Sequence, residues 1–521
     1  MQCASYGFSG ERPSSMTRWL GLAVAAALLG ACGGGGGGSA APADASSPPT
    51  ASLAQHCSPN NPWRADASVT PRAGSLADEK RWLRSYFNDA YLWYGEVPIV
   101  DATAAAYSAD TSAGFYPSID AYFEALESPV FTASGKRKDA FSFTYPTRQW
   151  RELSQSGIVL GYGIEFTFGS VTPPRDIRIA YIETGSPAAA AGLQRGDTLL
   201  SANGVSADVA TQAEIDVLQA ALFPTAAVSS SLRFSRAGSV LPVLSLAAAA
   251  VVKQPVLVAK VLDVGGAKVG YLLFNDHLAT AEAPLIAAVN GFKLAGISDL
   301  VLDVRYNGGG YLYIASQLAA MIAGTERTTG KVFERLQYSD KRSADSSSAD
   351  AATPFYDTSC DLDAAFSCTT SAPLPTLGLA RVFVLTSGST CSASESIVNG
   401  LRGVDVDVRL VGSQTCGKPY GFTAKDNCGI SYFPIEFKGI NAKGFGDYAD
   451  GLAAECGAAD DLGKPLGDIA EGQLAVALQW RASGTCAAPV ASRLAVRGAT
   501  AEAALRRGPL RENRIVLPLA R

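Results

Sequence analysis

The apolar positions change their period twice along the chain. Between residues 75 and 150, Trp82, Tyr86, Phe87, Tyr91 and Tyr94 recur at helical spacing. Ser75 and Asp78 supply a capping-box-like start, so a helix is predicted from about residue 75. A second helix, predicted from Ser118, carries Tyr122, Phe123 and Leu126. These aromatic stripes read as core rather than as ligand-stacking surface. From 155 to 253 the pattern becomes that of strands. GYGIEFTF (161–168) alternates, and DIRIAYIETGSPAAAAGLQRGDTLLSANGVS (176–206) runs strand, Gly-Ser-Pro turn, short Ala-rich helix, Gly-Asp turn, strand. From 256, strands and helices alternate. KVGYLLFND (268–276) is a strand and AEAPLIAAVNGFKLAG (281–296) an amphipathic helix. DLVLDVR (299–305) is a near-continuous apolar strand of the kind buried on both faces. YLYIASQLAAMIAG (311–324) is a helix, and RVFVLTS (381–387) and VDVRLVG (406–412) are further strands. Successive βα units of this kind predict an α/β layered domain.

Length and composition narrow the picture. The 521 residues suggest about three domains at roughly 150 residues each. With 47% hydrophobic and 17% charged residues, large cores are expected rather than disorder. The net charge is −5 and no basic run stands out, which argues against a nucleic-acid partner. Two histidines, His56 and His277, and no C-x-x-C pair argue against a dedicated zinc or iron site, so no metal and no cofactor is expected. The predicted divisions are a leader at 1–32, a flexible linker at 33–70, a helical domain at 71–152, a small β domain at 153–255, an α/β domain at 256–487 and a tail at 488–521.

The leader reads as an export address. From Met16, Arg18 gives a positive start and Trp19 to Leu29 an apolar core too short to span a bilayer. Leu29-Gly30-Ala31-Cys32 resembles the lipobox of bacterial lipoproteins. That resemblance implies cleavage before Cys32, lipidation of its thiol and a cell-envelope location facing the periplasm or the cell surface. Six glycines and a Ser/Ala/Pro-rich run then form a tether. Export permits disulfides, and eight cysteines (57, 360, 368, 391, 416, 428, 456, 486) form an even set. The pairing does not follow from sequence; Cys360 with Cys368 is the first guess, because they flank a short polar loop.

Two strand-to-helix junctions carry candidate chemistry. In Asp303-Val304-Arg305-Tyr306-Asn307-Gly308-Gly309-Gly310 a glycine run leaves backbone N–H groups unshielded at a helix start. Aimed at a carbonyl under attack, they make an oxyanion hole. The second junction is LTSGSTCSASESIVNGLRG (385–403), where Ser392 and Glu395 have capping-box spacing. Ser392 is either a helix cap or a nucleophile. Lys418 follows a buried strand in a Gly-flanked loop, 418 − 392 = 26 residues on, enough to return to the same sheet end. A desolvated lysine can take a serine proton as general base. His277 reads as a loop or packing histidine.

These segments resemble known families. Residues 155–253 are similar to a PDZ domain of the bacterial protease type, which makes Gly161-Tyr162-Gly163-Ile164 the loop that would bind a peptide carboxylate. KVGYLLF, LVLDVRYNGGG, STCSASESIVNGLRG and GSQTCGK resemble the successive motifs of the carboxyl-terminal processing (tail-specific) serine peptidases. The resemblance runs from about 75 to 480. It implies a crotonase/ClpP-like β-α layered core, with a PDZ-like β domain and an N-terminal helical domain. It also implies Ser392 as nucleophile, Lys418 as base, and N–H groups of Gly308, Gly309 and Ala393 as oxyanion hole. The sequence departs from the family pattern at Gly308, where a proline is usual, and at Phe422, where a glutamine often orients the lysine. The serine–lysine spacing is also about one residue longer. That leaves Gln414 or Thr415 to orient Lys418. Cys391 and Cys416 adjoin the two candidates as structural thiols, disulfide members or redox elements. The expected activity is a serine endopeptidase acting on exported polypeptides, tied to the membrane by its lipid. The competing reading is a catalytically silent PDZ-containing binding lipoprotein. Acyl-CoA chemistry conflicts with export.

Overall fold

The architecture is taken from a computed structural model, which describes residues 49–486, apart from 68, 171 and 363–367, together with the strand Arg514–Leu517. The leader, Cys32, the tether up to residue 48 and the rest of the tail lie outside the described residues. Among the described residues no helix is long and apolar enough to cross a membrane.

The α/β core forms where the apolar runs predict it. Its main sheet runs in the order Val256–Val264, Ala267–Phe274, Asp299–Asp303, Arg381–Thr386, Asp407–Gly412, Cys456–Gly457. All neighbours are parallel except the first hairpin. Every residue of Asp299–Asp303 is buried, as a central parallel strand covered on both faces requires. The helix Leu312–Ala323 is buried along its whole length, which its all-round apolar sequence dictates. A second six-stranded sheet packs Gly309–Tyr311, Arg514–Leu517, Tyr420–Thr423, Phe437–Ile440, Val332–Tyr338 and Ala352–Pro354 side by side. The tail therefore contributes a strand, where its sequence pattern predicted none.

The first helix is Leu76–Ala90, and Ser75 caps it as expected: its N–H donates to Asp78 Oδ2 (2.9 Å) and its Oγ accepts the Asp78 N–H (3.3 Å). The second starts earlier than expected, at Phe115, because the Ser118 hydroxyl accepts the Ala109 N–H (3.0 Å) instead of capping. This helical region does not form a core of its own. Trp82, Phe87, Phe115 and Phe123 belong to the same buried cluster as Leu302, Ile314 and Val384 of the α/β domain. The linker expected to reach residue 70 is folded from Thr50 onward. Glu79 accepts the Ser58 N–H (2.9 Å), and a disulfide joins Cys57 to Cys428.

The small β domain keeps a separate core of Ile177, Ile179, Leu199, Ile215, Leu218 and Phe234. The strand expected over 161–168 is split into Ile158–Gly161 and Ile164–Phe168. Gly163 sits at φ +75° in the break, where a Cβ would strike Ser186. Arg195, from the LQRGD turn, joins this domain to the core. It bonds the Tyr306 hydroxyl, the Asp460 carboxylate and the carbonyls of Ala180 (2.8 Å) and Lys464 (3.0 Å). Asp460 also pairs with Arg305 (3.0 Å), whose guanidinium lies buried between Asp303 and Glu471. All eight cysteines of the even set are paired: Cys57–Cys428, Cys360–Cys368, Cys391–Cys416 and Cys456–Cys486.

Candidate active site

Both junctions lie at the same end of the main sheet, because Asp303 and Leu385 are register partners in neighbouring parallel strands. The Asn307 carbonyl ties them together. It accepts the Cys391 N–H (3.1 Å) and the Ser394 hydroxyl (3.0 Å). Thr390 Oγ1 donates to the Val304 carbonyl (2.9 Å), and the Ser387 hydroxyl donates to that of Arg305.

Ser392 precedes the helix Ala393–Gly403 at φ +60° and ψ −120°, a backbone state that non-glycine residues rarely adopt. The capping reading is half right. Glu395 does reach back and accept the Ser392 N–H (2.9 Å), but the Ser392 hydroxyl, although buried, makes no hydrogen bond. A serine whose side chain is not spent on its own helix remains available for other chemistry.

Glu395 was visible in the sequence only as a cap. Its carboxylate is buried and gathers the Lys418 loop onto the Ser392 helix. It accepts N–H groups from Ser392 (2.9 Å), Gly417 (2.9 Å) and Lys418 (2.8 Å), together with the Thr415 hydroxyl. Burial raises its pKa, against the pull of these donors. The Cys391–Cys416 disulfide staples the same two loops beside the carboxylate. Thus one acid and one disulfide hold the backbones of Ser392 and Lys418 in register. No spacing rule would assign a capping glutamate to a loop twenty residues away.

The Lys418 side chain is buried, its ammonium 4.2 Å from the Phe422 ring centre and 5.2 Å from that of Phe141. Phe422, at the position where the family resemblance implies a glutamine, therefore lies under the lysine. Neither expected orienting group turns to it: the Thr415 hydroxyl goes to Glu395 and the Gln414 amide to the Asp450 carbonyl (2.7 Å). The direct Ser392–Lys418 hydrogen bond of a closed dyad is not formed, since Ser392 Oγ has no partner. Catalytic hydrogen bonds of this kind commonly tighten only when substrate binds.

One oxyanion donor is corrected. The Gly309 N–H donates to Asn307 Oδ1 (2.9 Å), because the asparagine closes a side-chain turn over it. The N–H groups of Gly308 and Ala393 have no acceptor among the described residues. His277 is buried beside the turn, its Nδ1 3.0 Å from Asn307 Oδ1. Burial lowers its pKa to about 4.

In the small β domain, Gly161, Tyr162, Gly163 and Ile164 line a cavity of about 370 Å³ with Phe166, Leu222 and Phe223. Tyr145, Gln149 and Leu153 of the helical region close one side of it. Among the described residues, two clusters place three ligand-type atoms together, Cys57/Glu79/Cys428 and Cys391/Glu395/Cys416. In both, the sulfurs are tied up in disulfides rather than presented as thiolates.

A serine at a helix start, a glycine turn beside it and a buried lysine on a nearby loop thus lie together at one end of the main sheet, with a separate small β domain beside the core. Residues 268–425 match peptidase family S41, residues 178–222 match a PDZ domain, and residues 78–143 match the peptidase S41 N-terminal domain. The carboxyl-terminal-processing protease of a Picosynechococcus strain is 27% identical over 187 residues, 35% of this chain and 44% of that protein. The chloroplastic C-terminal processing peptidase of Tetradesmus obliquus is 27% identical over 209 residues, 38% of this chain and 44% of that protein. The chain thus spans less than half the length of these two relatives. A crystal structure from Bacteroides fragilis described as an S41 protease is 25% identical, with a TM-score of 0.56, covering 78% of this chain and 97% of that one.

Proposed function

We propose that this protein is a serine endopeptidase of the carboxyl-terminal processing type that cuts exported polypeptides through Ser392 and Lys418. The observation that carries the reading is Glu395, a buried carboxylate that binds the backbones of both residues at once. Ser392 Oγ attacks the scissile carbonyl and Lys418 Nζ takes the hydroxyl proton. The N–H groups of Gly308 and Ala393 hold the oxyanion. The lysine passes its proton to the leaving amine, and an acyl-serine ester remains. Water, deprotonated by the lysine, then frees the new carboxyl end and restores the serine. The cavity lined by Gly161–Ile164 recruits or gates the polypeptide, possession of a PDZ domain being what favours a peptide there. The lipobox supports lipidation at Cys32 and a cell-envelope location.

The test is cleavage of casein and of tailed peptides by the wild type, Ser392→Ala and Lys418→Ala. Both variants should lose at least about 10³-fold in kcat. Equal turnover in all three would sink the dyad. Intact, folded wild type that binds tailed peptides without cutting them would favour the silent binding protein, the reading that Phe422 under the lysine supports.

A further inference from the structure

We propose that His277 is a positioning residue for the oxyanion turn, acting through Asn307; this rests on the peptidase reading above. His277 follows the strand Ala267–Phe274 and is fully buried. Its backbone runs alongside the glycine turn and bonds it on both sides. The His277 N–H donates to the Gly309 carbonyl (3.1 Å), and the Tyr311 N–H donates to the His277 carbonyl (2.8 Å). The approach is close enough that a Cβ on Gly310 would lie 2.5 Å from the His277 carbonyl oxygen.

The side chain adds a contact whose polarity can be assigned. Asn307 Nδ2 donates to the Phe274 carbonyl (2.9 Å), which leaves Oδ1 facing His277 Nδ1 and the Gly309 N–H. An amide oxygen only accepts, so Nδ1 carries the proton and donates. Neutral His277 then has a bare Nε2, and that atom has no hydrogen-bond partner although it is buried. Nε2 belongs to a residue lining a cavity of about 40 Å³ with Ser154, Lys253, Asp276 and Gly309.

Asn307 is therefore held from three directions by its side chain, while its carbonyl holds Cys391 and Ser394. Gly308, one of the two remaining oxyanion donors, is the next residue along the chain. If the Nδ1–H donor is lost, Asn307 Oδ1 keeps only Gly309, and the plane that aims the Gly308 N–H loses a support. The consequence falls on the oxyanion formed during reaction, not on binding of the ground state.

The test compares wild type, His277→Asn and His277→Phe in peptide hydrolysis. The asparagine amide nitrogen falls near the position of Nδ1 and keeps the donor, whereas phenylalanine keeps the ring shape and removes it. We expect His277→Phe to lower kcat by about 10²-fold with KM within about twofold, and His277→Asn to recover at least about tenfold of that loss. Equal losses in the two variants, or a kcat for His277→Phe within about threefold of wild type, would overturn the role. A wild type that cuts nothing would count against the peptidase reading alone. In that case ¹⁵N NMR of the His277 ring still decides: an Nδ1–H tautomer that disappears as a distinct signal in Asn307→Ala supports the contact, and an Nε2–H tautomer refutes it.

Discussion

Exchange of one oxygen in Glu395 should test the clamp between the two candidate catalytic loops. In Glu395→Gln, the amide nitrogen is best placed toward Thr415, whose hydroxyl oxygen can accept from it. That choice leaves the Gly417 N–H facing a nitrogen. One buried donor without an acceptor costs about 1–3 kcal/mol. The bonds from the Ser392 and Lys418 N–H groups survive but lose their charge assistance, about 1 kcal/mol each. Removing a buried charge offsets part of this, since burial already raises the Glu395 pKa. A net loss of about 3 kcal/mol follows, or a fall in Tm of roughly 3 °C for a protein of this size. A shift of about 1 Å between Ser392 and Lys418 would reduce kcat by about 10²-fold. Scanning calorimetry and peptide turnover read the two effects separately. A Tm within about 1 °C of wild type together with a kcat within about threefold would refute the clamp.

Three further outcomes follow from the same contacts. The Cys391→Ser/Cys416→Ser pair, which opens a loop with a sequence separation of 25, should lose about 3 kcal/mol in urea unfolding and lower kcat. Burial raises the Glu79 pKa to about 8 from an ordinary 4.5, so the folded state holds a proton that the unfolded chain releases in between. Stability should be fullest below about pH 4.5 and decline as pH rises through 8, and Glu79→Gln should flatten that slope in urea titrations at pH 5 and pH 8.5. Arg195→Ala removes the ion pair to Asp460 and the bond to Tyr306, and should speed hydrogen exchange in 176–206 by at least about tenfold without unfolding the core.

The order of elements was readable because the core strands are buried on both faces. An unbroken apolar run such as DLVLDVR has few other uses. The placement of Ser392 and Lys418 at one end of the sheet was readable because short motifs fix them to junctions whose position follows from that order. The second sheet was not, since Val332–Tyr338, Tyr420–Thr423 and Phe437–Ile440 come from distant segments with mixed composition and acquire meaning only through pairing. The same reason hid Glu395, Asn307 and His277. Each acts through bonds to groups 20 to 30 residues or more away, and nothing in the local pattern of a glutamate, an asparagine or a histidine reveals which distant loop it will face. The Gly309 donor was misjudged because a glycine run shows that N–H groups are unshielded, not that a neighbouring asparagine will bend over one of them.

The Cys57–Cys428 disulfide has a mechanical consequence. It joins a segment near the start of the described residues to a point 371 residues later, beside the hairpin Lys425–Asn427 and Ile430–Phe433. A pull on the chain ahead of Cys57 therefore reaches that hairpin through a covalent bond as well as through the intervening chain. The helical region, the PDZ domain, the Ser392 helix and the main-sheet strands from Val256 to Gly412 all lie inside that closed loop. Force applied between residues ahead of Cys57 and residues beyond Cys428 would run through a sulfur–sulfur bond, while the loop that bond closes, 371 residues in sequence separation, is shielded from it.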